Sequence, residues 1–448
     1  MRKHFLSSTV LGSLVLSACS LEPNFQRPQM AVPDGWSSVP GIALKSQQNP
    51  SPFWEDLGSE DLTRVMKVAL AQNLDLTAAL HRIEQARAQV KVAGAPLYPS
   101  LDASGGTSRS FQDPVNVSAA RGLGSINYEL DLWGKNRNQK AAASYRADAT
   151  QHDRDALRLI VSADTAAFYT QVLSLNERIR IAESNLKNAE EVLRIIEARY
   201  RAGSVSGLEV SQQRVAVNGL RAALTSLAEQ RATAANALAI LLGQAPQNLQ
   251  APKASLASLK LPEVSLTPPA SLLTARPDIA GAEAGLKAAN ADIGSARAAF
   301  FPSVTLGTDA SIAAGFGNPA ASAVSLASNI LAPIFTGGRL TGNLENVTAR
   351  QKELAAQYQK TVLIAFQEVE DALAALKSNN EQALLSRESV NESQNAYDIA
   401  KARFDAGAID YLTLLETQRS LYQAQDNQIL VNEGQIEAFI QLRKALGA

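Results

Sequence analysis

Side chains able to do catalytic chemistry are few and scattered in this chain of 448 residues. The three histidines are His4, His81 and His152, and the last lies in a long helical pattern without other candidate ligands beside it. The lone glycine pair in Gly315-Phe316-Gly317 is more typical of a loop tip than of a phosphate-binding loop. The sequence has no nucleophile motif and no paired metal-ligand spacing. We therefore predict no enzyme activity, no metal site and no cofactor.

The only cysteine, Cys19, has a different chemistry available to it. Two basic residues precede a short apolar stretch, residues 5–16, that is too short to span a bilayer as a helix. The run Leu16-Ser17-Ala18-Cys19 then resembles the bacterial lipoprotein box, in which the cysteine becomes the lipid-bearing mature N-terminus. We predict a signal peptide at residues 1–18 and lipidation of Cys19, and Ser20 favours sorting to the outer membrane. The alternative is an ordinary signal peptide with an incidental cysteine.

Leu412 and Glu416 form a second pattern with a recognisable chemistry. The two residues are four apart, so they share one face of a helix. If symmetry copies met at the mouth of a tube, a ring of like carboxylates would repel and bind counter-cations. A neighbouring ring of leucines would exclude water and block the opening. The alternative is a pair of ordinary solvated or seam positions.

Composition excludes some partners and favours long helices. The chain has 42 basic and 43 acidic residues, so there is no basic surplus that would indicate nucleic acid binding. Aromatic residues make up only 5% of the chain, whereas alanine, leucine, glutamine and serine are abundant. With Cys19 as the only cysteine, the mature chain can form no internal disulfide.

The element that organises the chain is a long helical stretch from Trp133 to Gly203. Apolar residues recur from Phe168 to Tyr200 in alternating steps of four and three, a period of 3.5 that is typical of a supercoiled helix. Asp164 is the polar exception in the earlier part of this seam. Because no proline or glycine interrupts the stretch, we predict one helix of roughly 100 Å at 1.5 Å per residue. A glycine turn follows, and a second helix is predicted over residues 208–242.

Strand patterns precede the long helix. In the glycine- and serine-rich region 96–132, Ile126, Tyr128, Leu130 and Leu132 alternate with polar residues, which is the period of a strand with one apolar face. Further strand-like runs cover about 304–312 and 324–334. On the strands alone, a soluble hairpin with one solvated face is favoured over a membrane-spanning pair.

The whole order then repeats. The run Phe300-Phe301-Pro302-Ser303-Val304 matches Leu97-Tyr98-Pro99-Ser100-Leu101, and the helix end at Gly407 matches the one at Gly203, an offset of 204 residues (407 − 203). We predict an internal duplication: helix, strand, strand, long helix, tip, helix, twice. Four strands cannot close a barrel, and an open sheet edge cannot face lipid. Membrane strands would therefore require several chains to share one barrel, with the long helices set side by side as a tube.

Together the motifs resemble those of the TolC-type outer-membrane factors, in particular the lipoprotein branch typified by OprM and NodT. The motifs are the lipoprotein box at Cys19, Phe53-Trp54-Glu55-Asp56-Leu57, Tyr98-Pro99-Ser100, Asp131-Leu132-Trp133-Gly134, Arg276-Pro277-Asp278-Ile279 and the tip run 407–421. The resemblance covers nearly the whole mature chain. It implies a mainly α fold with a membrane β-barrel: a homotrimer with a twelve-stranded β-barrel, a periplasmic α-helical barrel and a mixed equatorial belt.

The resemblance also implies a function and partners. The expected function is a passive outer-membrane exit duct of a tripartite efflux pump, which exports small molecules such as drugs. The expected partners are a periplasmic adaptor, an inner-membrane transporter of the RND type and outer-membrane lipid. The alternative reading is a lipid-anchored periplasmic coiled-coil scaffold without a pore.

Site residues follow from the same resemblance. The family has a constricting acid, usually aspartate, at the place of Glu416, and this branch has a leucine constriction at the place of Leu412. Gly203, Gly407, Arg403 and Asp410 are predicted at the periplasmic tips that dock the adaptor, although tight helix reversal alone also needs glycine. The type member of the family latches its tip with a tyrosine and an arginine against an acid, and these places here hold Phe404, Ile409 and Glu209. We therefore expect closure to depend on other contacts.

The predicted domain organisation follows the duplication. A lipidated extended tether covers residues 19–52, which contain six prolines. The first repeat covers 53–243, with two barrel strands at about 98–132. An equatorial linker covers 244–270, and the second repeat covers 271–448, with two barrel strands at about 303–335.

Overall fold

The computed structural model describes residues 21–38, 52–112, 115–262, 266–315 and 320–447. The predicted signal peptide 1–18 and Cys19 lie outside the described residues. Most of the predicted loop tip at Gly315-Phe316-Gly317 also lies outside them.

Helices dominate the described residues, and one small sheet accompanies them. The helices are α1 Phe53–Asp56, α2 Glu60–Gln72, α3 Leu74–Gly94, α4 Lys135–Arg201, α5 Gly207–Leu241, α6 Leu272–Ala275, α7 Pro277–Ala298, α8 Arg339–Asp405 and α9 Tyr411–Ala445. The strands are β1 Ser100–Gln112, β2 Val115–Leu130, β3 Ser303–Gly315 and β4 Ala321–Leu331.

The helix lengths confirm the predicted duplication. Helices α4 and α8 have 67 residues each, and α5 and α9 have 35 residues each. The start of α8 at Arg339 lies 204 residues after the start of α4 at Lys135 (339 − 135), and the same offset separates α9 from α5 (411 − 207). The mainly α fold with a small antiparallel sheet is therefore built from two copies of one unit of secondary structure.

Local side-chain contacts explain where the helices begin. Asp131 accepts hydrogen bonds from the backbone N–H groups of Asn136 and Arg137, both at 2.9 Å, so it satisfies two free donors in the first turn of α4. Before α8, Gly337 and Gly338 adopt positive φ angles of 57° and 83°, which glycine tolerates without strain.

The helical stretch before the sheet is interrupted at Asn73, and the break has a clear cause. The Asn73 side-chain oxygen accepts hydrogen bonds from the N–H groups of Asp75 and Leu76, both at 3.0 Å. Its amide nitrogen donates to the carbonyl of Leu241 at 3.0 Å. Asn73 therefore ends α2, caps the start of α3 and ties this junction to the end of α5.

The chain divides into two compact units. The first comprises residues up to 30, 79–153 and 278–361, and the second comprises 31–78, 154–277 and 362–448. The first unit contains the sheet and α7. The second contains most of the buried apolar clusters, and α1, α2, α5, α6 and α9 belong to it.

The four strands form one antiparallel sheet in the order β1-β2-β3-β4. Ser100 pairs with Asn127, Asn127 with Gly307, and Gly307 with Ala327. Strands β1 and β2 fall within the predicted region 96–132, whereas β3 extends beyond the predicted run 304–312 at both ends. Strand β4 begins at Ala321 rather than near 324 and ends at Leu331 rather than near 334. Pro333 explains the earlier end, since proline has no N–H to donate to a neighbouring strand.

A buried core of the second unit surrounds Tyr169 on α4. The Tyr169 side chain is fully buried, and its hydroxyl donates a hydrogen bond to Asp61 at 3.1 Å. Burial is the main cause that raises the pKa of Tyr169 to about 12, so the phenol stays protonated and keeps its donor. The cluster joins α1, α2, α4 and α9 through Phe53, Leu57, Leu62, Met66, Ala163, Ala166, Leu173, Ile429, Ile436, Phe439 and Ile440.

The described part of the predicted tether, residues 21–38, has no helix or strand. Within the first unit, Arg27 forms an ion pair with Glu283 at 2.6 Å. Within the second unit, Trp36 is buried and its indole N–H donates to the carbonyl of Thr267 at 2.9 Å. Side-chain contacts hold both parts of the segment in place.

None of the helices in the described part of the chain combines the length and the hydropathy that crossing a membrane requires.

Candidate functional site

The sequence places the candidate gate and docking residues at the turns that join α4 to α5 and α8 to α9. Both turns lie in the second unit. At the first turn, Gly203 has a φ of 74°. Its N–H donates a hydrogen bond to the carbonyl of Tyr200 at 3.0 Å, and the N–H of Ser204 donates to the carbonyl of Arg199 at 3.0 Å. This pair of bonds is the Schellman ending of a helix, and it needs a left-handed residue at the position of Gly203.

The second turn repeats this geometry. Gly407 has a φ of 74°, its N–H bonds the carbonyl of Phe404 at 3.0 Å, and the N–H of Ala408 bonds the carbonyl of Arg403 at 2.8 Å. An added Cβ at Gly203 or Gly407 would meet nothing within 4 Å, so space does not require glycine there. Glycine is favoured at both positions because the helix ending needs a residue with a positive φ, which other residues adopt only with strain.

The helices that follow the two turns, α5 and α9, begin with different N-terminal caps. At the first, Ser206 accepts from the N–H of Leu208, and Glu209 accepts from the N–H of Ser206, which is a capping box. At the second, Asp410 accepts from the N–H and the hydroxyl of Thr413 at 2.9 and 2.7 Å. These hydrogen bonds hold the pKa of the Glu209 and Asp410 carboxyls below their usual range.

An apolar cluster joins the two hairpins behind their turns. It is centred on Phe404 and Tyr411, whose rings meet edge to face with centroids 6.3 Å apart. The other buried members are Val192, Ile196, Val210, Tyr397, Ala400, Leu414, Leu415 and Leu421. The α4–α5 hairpin and the α8–α9 hairpin therefore pack together up to their tips.

Arg199 is the polar link at the outer end of this cluster. Its guanidinium lies 4.4 Å from the centroid of the Phe404 ring. The same group donates to the carbonyl of Phe404 at 3.1 and 3.2 Å and to the carbonyl of Asp405 at 3.3 Å. Both carbonyls belong to the last turn of α8, where a cation also interacts favourably with the helix dipole.

A buried, uncharged hydrogen-bond chain lies deeper in the same cluster. The Tyr411 hydroxyl donates to the Gln213 side-chain oxygen at 2.6 Å, and the Gln213 amide donates to the carbonyl of Ala189 at 2.7 Å. Gln213 is completely buried. Burial raises the pKa of Tyr411 to about 12, so its hydroxyl remains a donor at neutral pH. The chain links α9 to α5 and α5 to α4.

A second uncharged chain follows along α9. Gln418 donates to the Tyr422 hydroxyl at 2.6 Å, and that hydroxyl donates to the carbonyl of Asn185 on α4 at 3.0 Å. The Asn185 amide then donates to Gln425 at 3.1 Å. Burial raises the pKa of Tyr422 well above its usual value. Neither chain depends on a formal charge.

Leu412 and Glu416 lie on the opposite face of α9 from this packing. The Leu412 side chain is 50% exposed, and Glu416 is exposed as well, whereas Leu414 and Leu415 between them are buried. Glu416 forms no ion pair with any other described residue. The structure thus places both residues on one free helix face, which is the arrangement that a gate between chains would require.

The tyrosine–arginine latch of the family's type member has no counterpart at these positions. Phe404 is buried in the apolar cluster and has no hydroxyl, and Ile409 packs at its edge. Glu209 is engaged in the cap of α5. Arg403 and Asp410, the other predicted tip residues, are exposed beside the second turn. The contacts that hold the hairpins together are those of Arg199, Gln213 and Tyr411.

The sequence interpretation missed these three residues. Gln213 could have been noticed, because it stands three residues after Val210 and four before Val217, where the seam of α5 expects an apolar side chain. A polar residue in a seam needs a partner. No sequence signal identified that partner, since Tyr411 is 198 residues away.

The sheet of the first unit has two chemically different faces. One face carries exposed apolar side chains, including Leu101, Val324, Leu326 and Ile330, which are 76, 80, 87 and 73% exposed. The register places Asp102, Ser125 and Asp309 side by side on the other face, together with Arg121. Among the described residues β1 and β4 each pair on one side only. The sheet therefore has an uncovered apolar face and two free edges.

A duplicated chain of long paired helices with such a sheet defines a class of protein, the channels that complete their walls only when several copies assemble. The model of the family described as "Outer membrane efflux protein" matches residues 65–244 and 269–448, one match in each half. The chain belongs to the outer membrane efflux protein family. It is therefore an outer-membrane efflux channel rather than an enzyme.

Curated relatives span the full chain. The pyoverdine export outer membrane protein OpmQ of Pseudomonas aeruginosa is 37% identical, over 98% of this chain and 96% of its own. The toluene efflux pump outer membrane protein TtgC of Pseudomonas putida is 33% identical, over 100% of this chain and 96% of its own.

Solved structures agree with the fold. The outer-membrane channel MtrE of Neisseria gonorrhoeae, in its open state, has a TM-score of 0.83 and 27% identity, covering 96% of this chain and 98% of its own. The structure of CusC, reported in connection with transmembrane channel formation, has a TM-score of 0.85 and 29% identity. The match covers 96% of this chain and 100% of the CusC chain.

Proposed function

We propose that three copies of this chain assemble into one exit duct for a tripartite efflux pump. Each copy contributes one four-stranded sheet to a shared twelve-stranded β-barrel, and the long helices form a periplasmic α-helical barrel. The partners are a periplasmic adaptor and an inner-membrane transporter of the RND type. Transport through the duct is passive, which membership of the outer membrane efflux protein family supports.

The observation that carries this proposal is the sheet. Burying exposed apolar side chains against lipid gains roughly 25 cal/mol per Å², so the apolar face favours the bilayer. The unpaired edges of β1 and β4 oppose that transfer, because free N–H and C=O groups cannot face hydrocarbon. Edge pairing between copies removes this conflict. Three sheets give an even strand number within the range of outer-membrane barrels.

The polar face of the sheet then lines the pore. It carries the row of Asp102, Ser125 and Asp309, whose side chains are suited to water rather than to lipid. This inside–outside partition is what alternating strands in a membrane barrel show.

The gate and docking assignments belong to the same proposal. Leu412 and Glu416 of each copy meet at the periplasmic mouth, where the leucines exclude water and the carboxylates hold counter-cations. The turns at Gly203 and Gly407, with Arg403 and Asp410, form the ends that dock the adaptor.

Cys19 carries the lipid anchor in this proposal. A lipid contributes about 0.8 kcal/mol per buried CH₂ and keeps this end of the chain at the outer membrane. The predicted bounds, with a tether at 19–52, repeats at 53–243 and 271–448 and a linker at 244–270, stay part of the proposal.

Cargo is set by the pump rather than by this chain. The names of the relatives refer to pyoverdine in one case and to toluene in another, although their chains are similar to this one throughout. We therefore propose a duct for small molecules such as drugs, with selectivity supplied by the partner transporter.

The experiment that tests the proposal is conductance in a planar bilayer. Purified protein should give discrete channels, and particles in detergent should have the size of a trimer. The competing function is a lipid-anchored coiled-coil scaffold without a pore. Particles that contain one or two copies and give no conductance would support the scaffold and contradict the duct.

A further inference from the structure

A pocket opens between α4 and α9 in the second unit, and we name it the α4–α9 pocket. Its volume is about 240 Å³, which is below the roughly 300–1,000 Å³ of sites for drug-sized ligands. The pocket therefore suits a small ligand. Its lining residues are Asp164, Ala167, Phe168, Thr170 and Gln171 from α4, and Glu433, Glu437 and Gln441 from α9.

The pocket lies on the side of α4 that is turned away from α1 and α2. The residues that pack α4 into the core with α1 and α2 are Ala163, Ala166, Tyr169 and Leu173. Positions 164, 168 and 171 lie roughly half a turn from this set at 3.6 residues per turn. In the helical tube of the proposed function, α1 and α2 cover one side of the helix pair, so the pocket opens on the side that remains for the lumen.

The carboxylates of the pocket have no basic partner inside it. Among the described residues, neither a lysine nor an arginine lines the pocket. Asp164 corresponds to Glu368 in the second copy (368 − 164 = 204), where Arg276 pairs with the carboxylate at 2.7 Å. No described basic residue forms an ion pair with Asp164. The protein therefore neutralises this charge in one copy and leaves it available in the other.

Glu433 carries a second charge that the pocket does not compensate. The carboxylate is partly buried and accepts a hydrogen bond from the buried Ser174 hydroxyl at 2.6 Å. Burial is the main cause that raises the pKa of Glu433, and the neighbouring Glu437 carboxylate adds to it, although the Ser174 hydrogen bond acts in the opposite direction. Arg178 is the nearby cation, but Asp426 holds its guanidinium at 2.7 and 3.1 Å. A cation in the pocket would compensate the lost solvation and screen the repulsion.

Thr170 adds an unsatisfied hydroxyl to the lining. The residue is 1% exposed, and its hydroxyl forms no hydrogen bond with any described residue. A buried hydroxyl without a partner is unfavourable, and native structures usually give such a group a partner. Because Thr170 lines the pocket, a hydrogen-bonding ligand there would supply the missing partner.

The mixed lining favours an organic ammonium group over a bare metal ion. In the described part of the chain, no group of three or more His, Cys, Asp or Glu side chains is arranged to hold a metal ion. An ammonium group has three N–H donors, so it can use carboxylate, amide and hydroxyl oxygens together. Ala167 and the Phe168 ring offer apolar surface to a short carbon chain, and an aromatic ring also attracts a cation.

We propose that the α4–α9 pocket binds the ammonium group of a small aliphatic amine, with Glu433 and Glu437 as the binding carboxylates and Thr170 as a neutral acceptor. Only the luminal position of the pocket rests on the proposed function. An amine held at the wall of the duct reduces the ion current that passes it. The site is separate from the candidate gate, because Glu433 follows Glu416 by 17 residues (433 − 416) on α9, roughly 26 Å at 1.5 Å per residue.

Calorimetric titration of the purified full-length protein tests binding, with butylamine as the probe and butanol as its uncharged counterpart. Butylamine should bind about tenfold or more tightly than butanol. Glu433→Gln keeps the shape and removes the charge, so it should weaken butylamine binding by about tenfold or more. Glu229→Gln is the matched control, because residue 229 corresponds to residue 433 (433 − 229 = 204), is exposed and lies outside the pocket. Glu437→Gln is the second variant, since the exposed position of Glu437 favours normal folding.

Thr170→Val separates a ligand role from a packing role. Replacing an unpartnered buried hydroxyl with a methyl group should leave the melting temperature of the free protein unchanged or higher. The same change should reduce the rise in melting temperature that butylamine produces. A lower melting temperature of the free protein with an unchanged butylamine effect would overturn the role of Thr170 as an acceptor.

Single-channel current tests the luminal position. Butylamine should reduce the current through wild-type channels, and Glu433→Gln should remove this effect. The reduction should persist in Glu416→Ala channels, which distinguishes the pocket from the candidate gate. A conducting channel that binds butylamine without any change in current would overturn the luminal position.

The outcomes separate the ammonium site from the duct. Channels that conduct but bind no butylamine overturn the site and leave the duct intact. Protein that binds butylamine through Glu433 but never conducts supports the site and contradicts the duct. Equal binding of butanol, or complete displacement of butylamine by an equal concentration of Mg²⁺, would show that the pocket does not recognise the ammonium group and would overturn the proposal.

Discussion

The two hairpins of the duplicated chain have the same backbone and different chemistry. Positions 204 residues apart correspond, so Leu412 of α9 matches Leu208 of α5, and Glu416 matches Gln212. Both leucines are exposed, at 50 and 65%. The first copy therefore keeps the apolar half of the candidate gate and lacks its carboxylate.

The arginines at the two tips show the same division. Arg199 of the first copy stacks on Phe404 and caps the carbonyls at the end of α8. Its counterpart Arg403 is exposed and forms no ion pair with any other described residue. The two tips share their helix lengths, but the arginine of the first tip is engaged in packing and the arginine of the second is exposed. The matched positions supply a control for the first two of the following predictions.

The largest expected effect is at the gate. Leu412→Ala combined with Glu416→Ala should raise single-channel conductance severalfold, because it removes the apolar ring and the carboxylate ring together. The matched control is Leu208→Ala with Gln212→Ala, which should leave conductance near the wild-type value. Equal conductance increases from both pairs would show that the two tips contribute alike and would remove the special role of α9.

The next largest effect is on the stability of the packed tips, where Arg199 and Arg403 should differ. Arg199→Ala should destabilise the packed tips by about 2 kcal/mol, because hydrogen bonds to charged groups contribute roughly 1.5–3 kcal/mol. Hydrogen exchange of residues 400–411 should increase accordingly. Arg403→Ala should leave this exchange unchanged. A larger increase from Arg403→Ala would contradict the assignment of Arg199 as the link between hairpins.

The third prediction concerns the uncharged chain through Tyr411. Tyr411→Phe leaves the buried oxygen of Gln213 without its donor, which should cost about 1–3 kcal/mol in the free energy of unfolding. Tyr200→Phe is the matched control, since Tyr200 is exposed at the other tip. Thermal unfolding of the three proteins checks this, and equal melting temperatures would contradict it.

The same residue predicts a pH dependence. Because the pKa of Tyr411 is raised to about 12, its contribution is fully present below its ordinary pKa of about 10 and is lost as the pH rises toward 12. The stability difference between wild type and Tyr411→Phe should therefore be constant from about pH 6 to pH 9 and shrink above pH 10. Tyr169 and Tyr422 titrate in both proteins, so the difference isolates Tyr411.

The smallest expected effect is on the free energy of unfolding and concerns the starts of the two long helices, α4 and α8. Asp131 caps α4, whereas α8 begins after two glycines. Asp131→Ala should cost about 1 kcal/mol, the usual value for a lost N-cap. Asp131→Asn keeps a side-chain acceptor and should cost less. An equal cost for both variants, measured by chemical unfolding, would show that the charge rather than the cap matters.

Much of the fold could be predicted because local patterns control it. The unbroken seam from Phe168 to Tyr200 predicted α4, and the offset between Gly203 and Gly407 predicted the second copy. Strand ends were less certain, because the glycine- and alanine-rich start of β2 has no apolar alternation to mark it.

The contacts that hold the tips together could not be predicted from local patterns. Arg199 meets Phe404 across 205 residues, and Tyr411 meets Gln213 across 198. Such pairs depend on which faces of two hairpins pack together, and heptad spacing does not specify that choice. The four-residue spacing predicted that Leu412 and Glu416 share one helix face. The resemblance predicted the absence of a latch but not the contacts that replace it.

The most direct test of the central claim is the number of chains in the native particle, measured by native mass spectrometry of the protein released from detergent. Our account predicts three copies, because one sheet of four strands leaves two edges that only neighbouring copies can pair. A single chain that retains its folded sheet would contradict it.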